Sequence, residues 1–538
     1  MPFSRWPGFL AGLAALWLAF SGPLSAAELP RLESRDGNHA LMVDGEPWLM
    51  LTAQVHNSSA WPAALSKVWP VVDGMQANTL QVPIAWEQIE PVEGEFDFSF
   101  LDQLLKEARD HQVRLVLLWF GTWKNSAPHY TPSWVKFDNE RFPRMVGPKG
   151  EIHFSMSPHA RTTLEADKKA FVELLKHLRD RDPQNTVISV QVQNEPGTWG
   201  LHRDYSPEAE KLFQADVPAE IAQALGKGKG NWKKLFGDDA AYYFHAWAMA
   251  AYMDEIAAAG KAVKNLPMYT NAALPESPFG EDPPKAIVTG GPTPWVIDLW
   301  KAAAPHIDWL SPDIYRRDDK VYLGFLDRYA RDDNPLFVAE TGNDREYARY
   351  FFATLGRRGI GFSVFGMDET GYSNYPLGAR ELDQDIIEEF ARIYRLFHPM
   401  QRRWAKWAYE GKVWGLAEPL DESHANQVRA NDYLIKASYG RPQFGRRTPP
   451  EGNVYPRGGV AVAQVDSNEF LVAGFDTRVE FELADPQGRH LLFDRVDEGY
   501  FDADGEWVFV RRWNGDQTDF GLNLDASGRV LRVKLGWY

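Results

Sequence analysis

Between Trp48 and Asp368 the chain repeats one pattern: a short apolar, β-branched run, then a stretch in which apolar residues recur with helical spacing. The eight runs are Trp48–Val55, Thr79–Trp86, Arg114–Phe120, Val187–Glu195, Pro267–Asn271, His306–Tyr315, Asn334–Gly342 and Ile360–Asp368. Strands that alternate with helices pair in parallel, because each connection carries the chain back across the sheet. Eight such units predict a closed (β/α)8 TIM barrel, an α/β fold whose reactive groups collect at the carboxyl ends of the strands.

After about Met400 the pattern changes to short alternating segments separated by Gly- and Asp-rich turns, for example Val460–Gln464, Glu469–Ala473 and Val530–Leu535. That reads as a β-sandwich-like domain. The expected organisation is therefore a leader over 1–27, a catalytic barrel over 28–400 and a β-rich accessory domain over 401–538. In the leader, Arg5 precedes a short apolar core from Phe9 to Phe20, and Ser25-Ala26-Ala27 offers small residues for cleavage. The apolar run is shorter than the roughly 20 residues a spanning helix needs. Export without a membrane anchor is the expectation, to the periplasm in a two-membraned bacterium. The oligomeric state is left open.

Two runs end in a carboxylate. Val187–Gly197 reads VISVQVQNEPG, and its alternation puts Gln191, Gln193 and Glu195 on one face and Val190, Val192 and Asn194 on the other. Pro196-Gly197 closes it. Asn334–Gly342 likewise ends in Glu340-Thr341-Gly342. A strand-end Glu can simply pair with a nearby Arg. Two of them on one barrel rim are what glycosidic bond cleavage needs, one to protonate the leaving oxygen and one to attack the anomeric carbon or activate a water.

Composition agrees with a neutral partner. The net charge of −16 argues against nucleic acid or an anionic membrane. The 21 tryptophans supply flat faces suited to pyranose rings, although a Trp-rich core accounts for most of them. Gly226-Lys227-Gly228-Lys229-Gly230 lacks the preceding strand and the Gly-Lys-Ser/Thr order of a phosphate loop and reads as an exposed hinge. Asp502-Ala503-Asp504-Gly505 lacks the further spacing of a calcium loop and reads as a hairpin turn.

Asn194-Glu195-Pro196 on the fourth strand and Glu340 on the seventh resemble the acid/base and nucleophile of clan A retaining glycosidases. The stretch LQVPIAWEQIEPVEGEFDF (80–98) is similar to the second strand and turn of glycoside hydrolase family 35, the β-galactosidases. VRRWNGDQTDFG (510–521) resembles a β domain appended to a bacterial branch of that family. The chain departs from the family's Glu-Asn-Glu-Tyr-Gly motif, and Asn-Glu-Pro is also seen in families 42 and 5.

The resemblance implies a retaining exo-β-galactosidase acting on terminal galactosyl residues, as in xyloglucan or other plant oligosaccharides. Another clan A β-glycosidase, a glucanase or mannanase, is the alternative, and a carbohydrate-binding barrel without turnover a further one. The resemblance makes Glu195 the acid/base, Glu340 the nucleophile, Tyr315 a donor to the nucleophile and Asn194 a ligand of the sugar 2-hydroxyl. Gln54, Trp86, Glu87, Trp119 and Asp313, at or near strand ends, are further candidate sugar contacts. The expected partner is a carbohydrate, with no metal or organic cofactor. The insertions near 121–159 and 198–237 are expected to wall the site into a pocket.

Overall fold

The computed structural model describes residues 28–280, 288–441, 445–446 and 448–538; the leader read over 1–27 lies outside the described residues. Eight parallel strands close a barrel in sequence order: β1 (Met50–Gln54), β2 (Thr79–Ala85), β3 (Arg114–Lys124), β4 (Val187–Asn194), β5 (Met268–Ala273), β6 (Trp309–Ile314), β7 (Phe337–Thr341) and β8 (Gly361–Phe365). β8 pairs with β1, so no edge is left open. The expected first run divides at Leu49. Glu46–Trp48 belongs to a small antiparallel sheet with Arg31–Arg35 and Asn38–Val43.

Strand alternation sorts the barrel into two cores. Val116, Leu118 and Phe120 of β3 point inward, where they meet Ile188, Tyr269, Trp309 and Phe337, and Leu41, Val43 and Trp48 of the small sheet join the same cluster. Leu115, Leu117 and Trp119 point outward to the helices. There α1 (Arg161–Arg181) packs Leu164, Phe171, Leu174, Leu175 and Leu178 against the barrel, beside the largely buried α2 (Ala240–Lys261). Toward the carboxyl end the barrel interior turns polar, with Gln54, Gln81, Gln191, Asn271 and Asp313 all buried.

The insertion after β3 folds a small hairpin, Arg144–Val146 with Ile152–Met156. The one after β4 carries three short helices, and Gly226–Gly230 is the exposed connection between the last two. Helix α3 (Gln384–Phe397) closes the barrel layer. The next helix, Gln401–Tyr409, packs on the small amino-terminal sheet, so the β-rich region begins at Val413 rather than 401. That region is two antiparallel sheets, of six and four strands, enclosing a core of their own. Asp502–Gly505 is the turn between strands Leu491–Phe501 and Trp507–Trp513.

The junction between barrel and sheets is apolar, with Ala461, Leu471, Ala473 and Phe475 packed into the cluster of Phe352 and Phe397, and polar contacts flank it. Arg349 donates to the Glu418 carbonyl at 2.8 Å, and Arg392 of α3 pairs with Asp476 at 3.0 Å. The Glu418 carboxylate is buried and accepts from Asn453 N and Nδ2, Arg457 N and Gly458 N at 2.6–3.0 Å. Removing one side of such an arrangement leaves several buried donors unsatisfied. Glu418→Ala is expected to cost about 1–3 kcal/mol, read as a lower urea midpoint. No measurable change would show that the 453–458 segment is held without this carboxylate.

Candidate active site

The polar end of the barrel opens into a cavity of about 620 Å³. Glu195 and Glu340 line it, together with Tyr315, Lys124, Asn125, His56 and Trp199. One carboxylate oxygen from each of Glu195, Asp313 and Glu340 lies within 4.8 Å of the others, and all three residues are buried.

Local backbone geometry brings Glu195 into this group. Gln193 and Glu195 have φ of +61° and +44°, a region that side-chain-bearing residues adopt at a cost of order 1 kcal/mol. The β3–β4 register also slips, so that Trp119 faces Val192 while Lys124 faces Asn194. The expected alternation therefore fails at its end. Gln193 turns outward to Asp167 of α1 at 2.7 Å, and Asn194 turns inward, where Gln191 donates to its Oδ1 at 3.0 Å. A bulge of this kind re-aims side chains beside a site. Asn271 Oδ1 accepts from the Glu195 backbone N–H at 2.8 Å and fixes the turn.

Each carboxylate is held differently. Glu340 accepts from Gln54 Nε2 at 2.8 Å and from Tyr315 Oη at 2.7 Å, one donor to each oxygen. Behind Gln54, the Gln81 amide reaches Gln54 Oε1 at 2.5 Å, and Tyr269 donates to Gln81 at 2.8 Å. Asp313 accepts from Asn271 Nδ2 at 2.7 Å. Burial lifts the Glu195 carboxyl to about 7; the Lys124 ammonium opposes the rise and the Glu340 charge adds to it. Burial, then the charges of Glu340 and Glu195, push Asp313 well above its ordinary range. The Tyr315 hydroxyl is likewise held well above its ordinary value, by burial and by the neighbouring Glu340 charge.

The cluster thus sets a carboxylate held by two donors beside two carboxyls whose burial favours the protonated form. Three carboxylate oxygens could also hold a cation; Lys124 is the positive side chain that faces them.

The candidate residues separate into three groups. Glu195, Glu340 and Tyr315 line the cavity, while Asn194, Gln54 and Asp313 lie directly behind it in the hydrogen-bonded layer. Trp86 and Trp119 do not reach it, which corrects the expectation for both. Trp119 takes the outward phase of β3 and donates to Asp167 at 2.8 Å. Trp86 opens a short helix, donates to Glu90 at 2.9 Å and packs edge-on against Trp134. Glu87 is also outside the cavity, paired with Lys136 at 3.0 Å.

Sequence reasoning missed His56, Lys124, Asn125 and Trp199. His56 follows β1 and could have been noticed as a strand-end residue. Its Nδ1 lies 3.0 Å from Asp368, whose carboxylate is held below the usual range: burial, which would raise it, is outweighed by the hydrogen bond and charge of His56 and by Thr370. His56 Nε2 is buried without a partner on the cavity wall, an unused position for a polar ligand. Lys124 lies four residues past the expected end of β3.

Known proteins resemble both parts of the chain. Residues 63–264 match the β-galactosidase family model of glycoside hydrolase family 42. That span contains Asn194 and Glu195, and the likeness to clan A β-galactosidases stands. Residues 390–525 match a domain of unknown function (DUF5597). A β-galactosidase of Xanthomonas manihotis is 24% identical over 190 residues, 34% of this chain; the aligned part spans 29% of that relative's length. The β-galactosidase from Bacillus circulans sp. alkalophilus superposes with a TM-score of 0.53 at 10% identity, over 90% of this chain and 99% of that one, a likeness of fold.

The raised Glu195 value has a stability consequence. A carboxyl whose folded value, about 7, exceeds its ordinary 4.5 contributes stability in full below pH 4.5, and this is lost as pH rises through 7. Glu195→Gln should therefore gain on the wild type between pH 5 and pH 8, by up to about 3 kcal/mol. Urea unfolding at both pH values measures it, and an equal difference at the two would contradict a proton held by Glu195.

Proposed function

We propose that the protein is a retaining exo-β-galactosidase that removes terminal β-D-galactosyl residues from oligosaccharides, plant xyloglucan side chains among them. The observation that carries this reading is the Glu195–Glu340 pair in one cavity, with carboxylate oxygens no more than 4.8 Å apart. Retaining enzymes hold their carboxyls about 5–5.5 Å apart, whereas inverting ones leave roughly 6.5–9.5 Å for a water. The family match over residues 63–264 supports galactoside as the substrate class.

In this mechanism Glu340, held by Gln54 and Tyr315, attacks the anomeric carbon. Glu195, whose carboxyl burial lifts to about 7, gives its proton to the leaving oxygen. The galactosyl ester on Glu340 is then hydrolysed by a water that the Glu195 carboxylate deprotonates, with overall retention. Asn194 is assigned to the sugar 2-hydroxyl. Gln54 and Asp313 act from behind, Gln54 by orienting Glu340 and Asp313 by hydrogen-bonding the Glu195 carboxyl. The unpartnered His56 Nε2 is assigned to a galactose hydroxyl.

The leader pattern over 1–27 supports export, and the exported protein should begin near Glu28 on amino-terminal sequencing. Among the described residues no helix is long and apolar enough to cross a membrane.

Three measurements test the catalytic assignment. Glycosylation needs protonated Glu195, so kcat/KM should fall as pH rises through about 7. Glu195→Ala should lose about 10²–10⁴-fold on natural galactosides but far less in glycosylation by dinitrophenyl galactoside, whose leaving group needs no proton. Glu340→Ala should lose activity on both alike, with azide restoring turnover to the inverted product. Uniform losses for both variants, or an inverted anomer from the wild type, would reject the scheme.

A further inference from the structure

A second depression of about 490 Å³ adjoins the catalytic cavity and shares Asn125 and Trp199 with it. Three aromatic rings border it at high exposure: Phe137 at 82%, Phe154 at 49% and Trp199 at 40%. Leaving such rings in water forgoes about 25 cal/mol for every Å² that could be buried, and clustered exposed apolar surface marks a binding face.

Trp199 is not loosely placed. Its backbone N–H donates to Ser126 Oγ at 3.0 Å, its carbonyl lies 3.0 Å from the His153 ring nitrogen, and it pairs with Val288 in a two-stranded ladder. Lys136 is fixed by Glu87 at 3.0 Å and the His129 carbonyl at 2.8 Å, and Arg144 donates to the Lys136 carbonyl at 2.6 Å. The result is an exposed aromatic surface with amino and guanidinium donors at its edge, which matches the two sides of a saccharide, its C–H faces and its hydroxyls.

Position tells which saccharide. The catalytic cavity has two sides. His56 and Phe365 stand at the β1 and β8 ends, with Glu340 on neighbouring β7, whereas Lys124 ends β3 and Asn125, Glu195 and Trp199 follow β3 and β4. The depression continues from the second side. If Glu195 is the acid, that is the side on which the leaving oxygen receives its proton and departs.

We infer that this depression is the leaving-group site, taking a saccharide of two or more sugar units attached to the galactose, with Trp199, Phe137 and Phe154 as stacking surfaces. The inference rests on the proposed galactosidase reading. It adds that the enzyme recognises the chain from which galactose is cut.

The test uses the full-length protein and the variant Phe137→Ala/Phe154→Ala, neither position lining the catalytic cavity. Two substrates are compared: nitrophenyl β-galactoside, and a β-galactosyl-capped tetrasaccharide. The variant should lose about tenfold in kcat/KM on the tetrasaccharide while staying within about twofold of wild type on the nitrophenyl substrate. Equal losses on both substrates, or no loss on either, would overturn the site. Calorimetry with the galactose-free trisaccharide separates this from the activity itself. Wild-type binding that the variant loses supports the site even if no galactoside is turned over. Absent or equal binding in both proteins refutes the site, even if galactosidase activity is confirmed.

Discussion

Three carboxyls crowded into the buried polar end of a barrel are the arrangement on which this molecule's chemistry depends. Buried charges of one sign repel strongly, so the protein must neutralise some and stabilise the rest. It does both. Gln54 and Tyr315 place a donor on each oxygen of Glu340, whereas burial and the neighbouring charge favour the protonated forms of Glu195 and Asp313. Groups of the same chemical type are thereby held in different environments, which is what acid–nucleophile catalysis requires.

The surrounding architecture serves that crowding. The line of hydrogen bonds from Tyr269 through Gln81 and Gln54 to Glu340 runs through the polar layer above the apolar barrel interior, so the anion's donors are themselves held. On the opposite side, Asn271 joins the Glu195 backbone to the Asp313 carboxylate. Left-handed backbone at Gln193 and Glu195 is tolerated because the β3–β4 slip, Asn271 and Asp167 fix the chain there from several directions. The β-rich region contributes at a distance: it packs Phe475 and its neighbours on Phe352 and Phe397 of the outer helices, with Arg349 and Arg392 bonding across, and no residue after Leu377 lines the catalytic cavity among the described residues.

The differences between sequence reading and structure have one cause. Period-two alternation is a rule about regular strands. It correctly separates Leu118 from Leu117 in β3, and applied to Trp119 it already points outward, away from any substrate. Where the backbone bulges, at 193–195, the rule stops applying and Asn194 and Gln193 exchange faces. Loop residues escape it altogether. Trp199 and Lys124 come to the cavity because an insertion folds back and a strand runs four residues longer than its apolar core suggests.

By itself the sequence determined the eight-unit barrel, the change to antiparallel sheets after about residue 400, and the two strands that end in glutamate. Those are consequences of local periodicity and turn chemistry, which neighbouring residues specify. The tertiary structure decided what faces what: that Asp313 joins the two glutamates, that Gln54 rather than Trp86 or Trp119 serves the site, and that His56 is backed by Asp368. Protonation belongs to the same class. Burial and charge separation are set by residues hundreds of positions apart that meet only when the barrel closes, so no local pattern encodes which carboxyl keeps its proton.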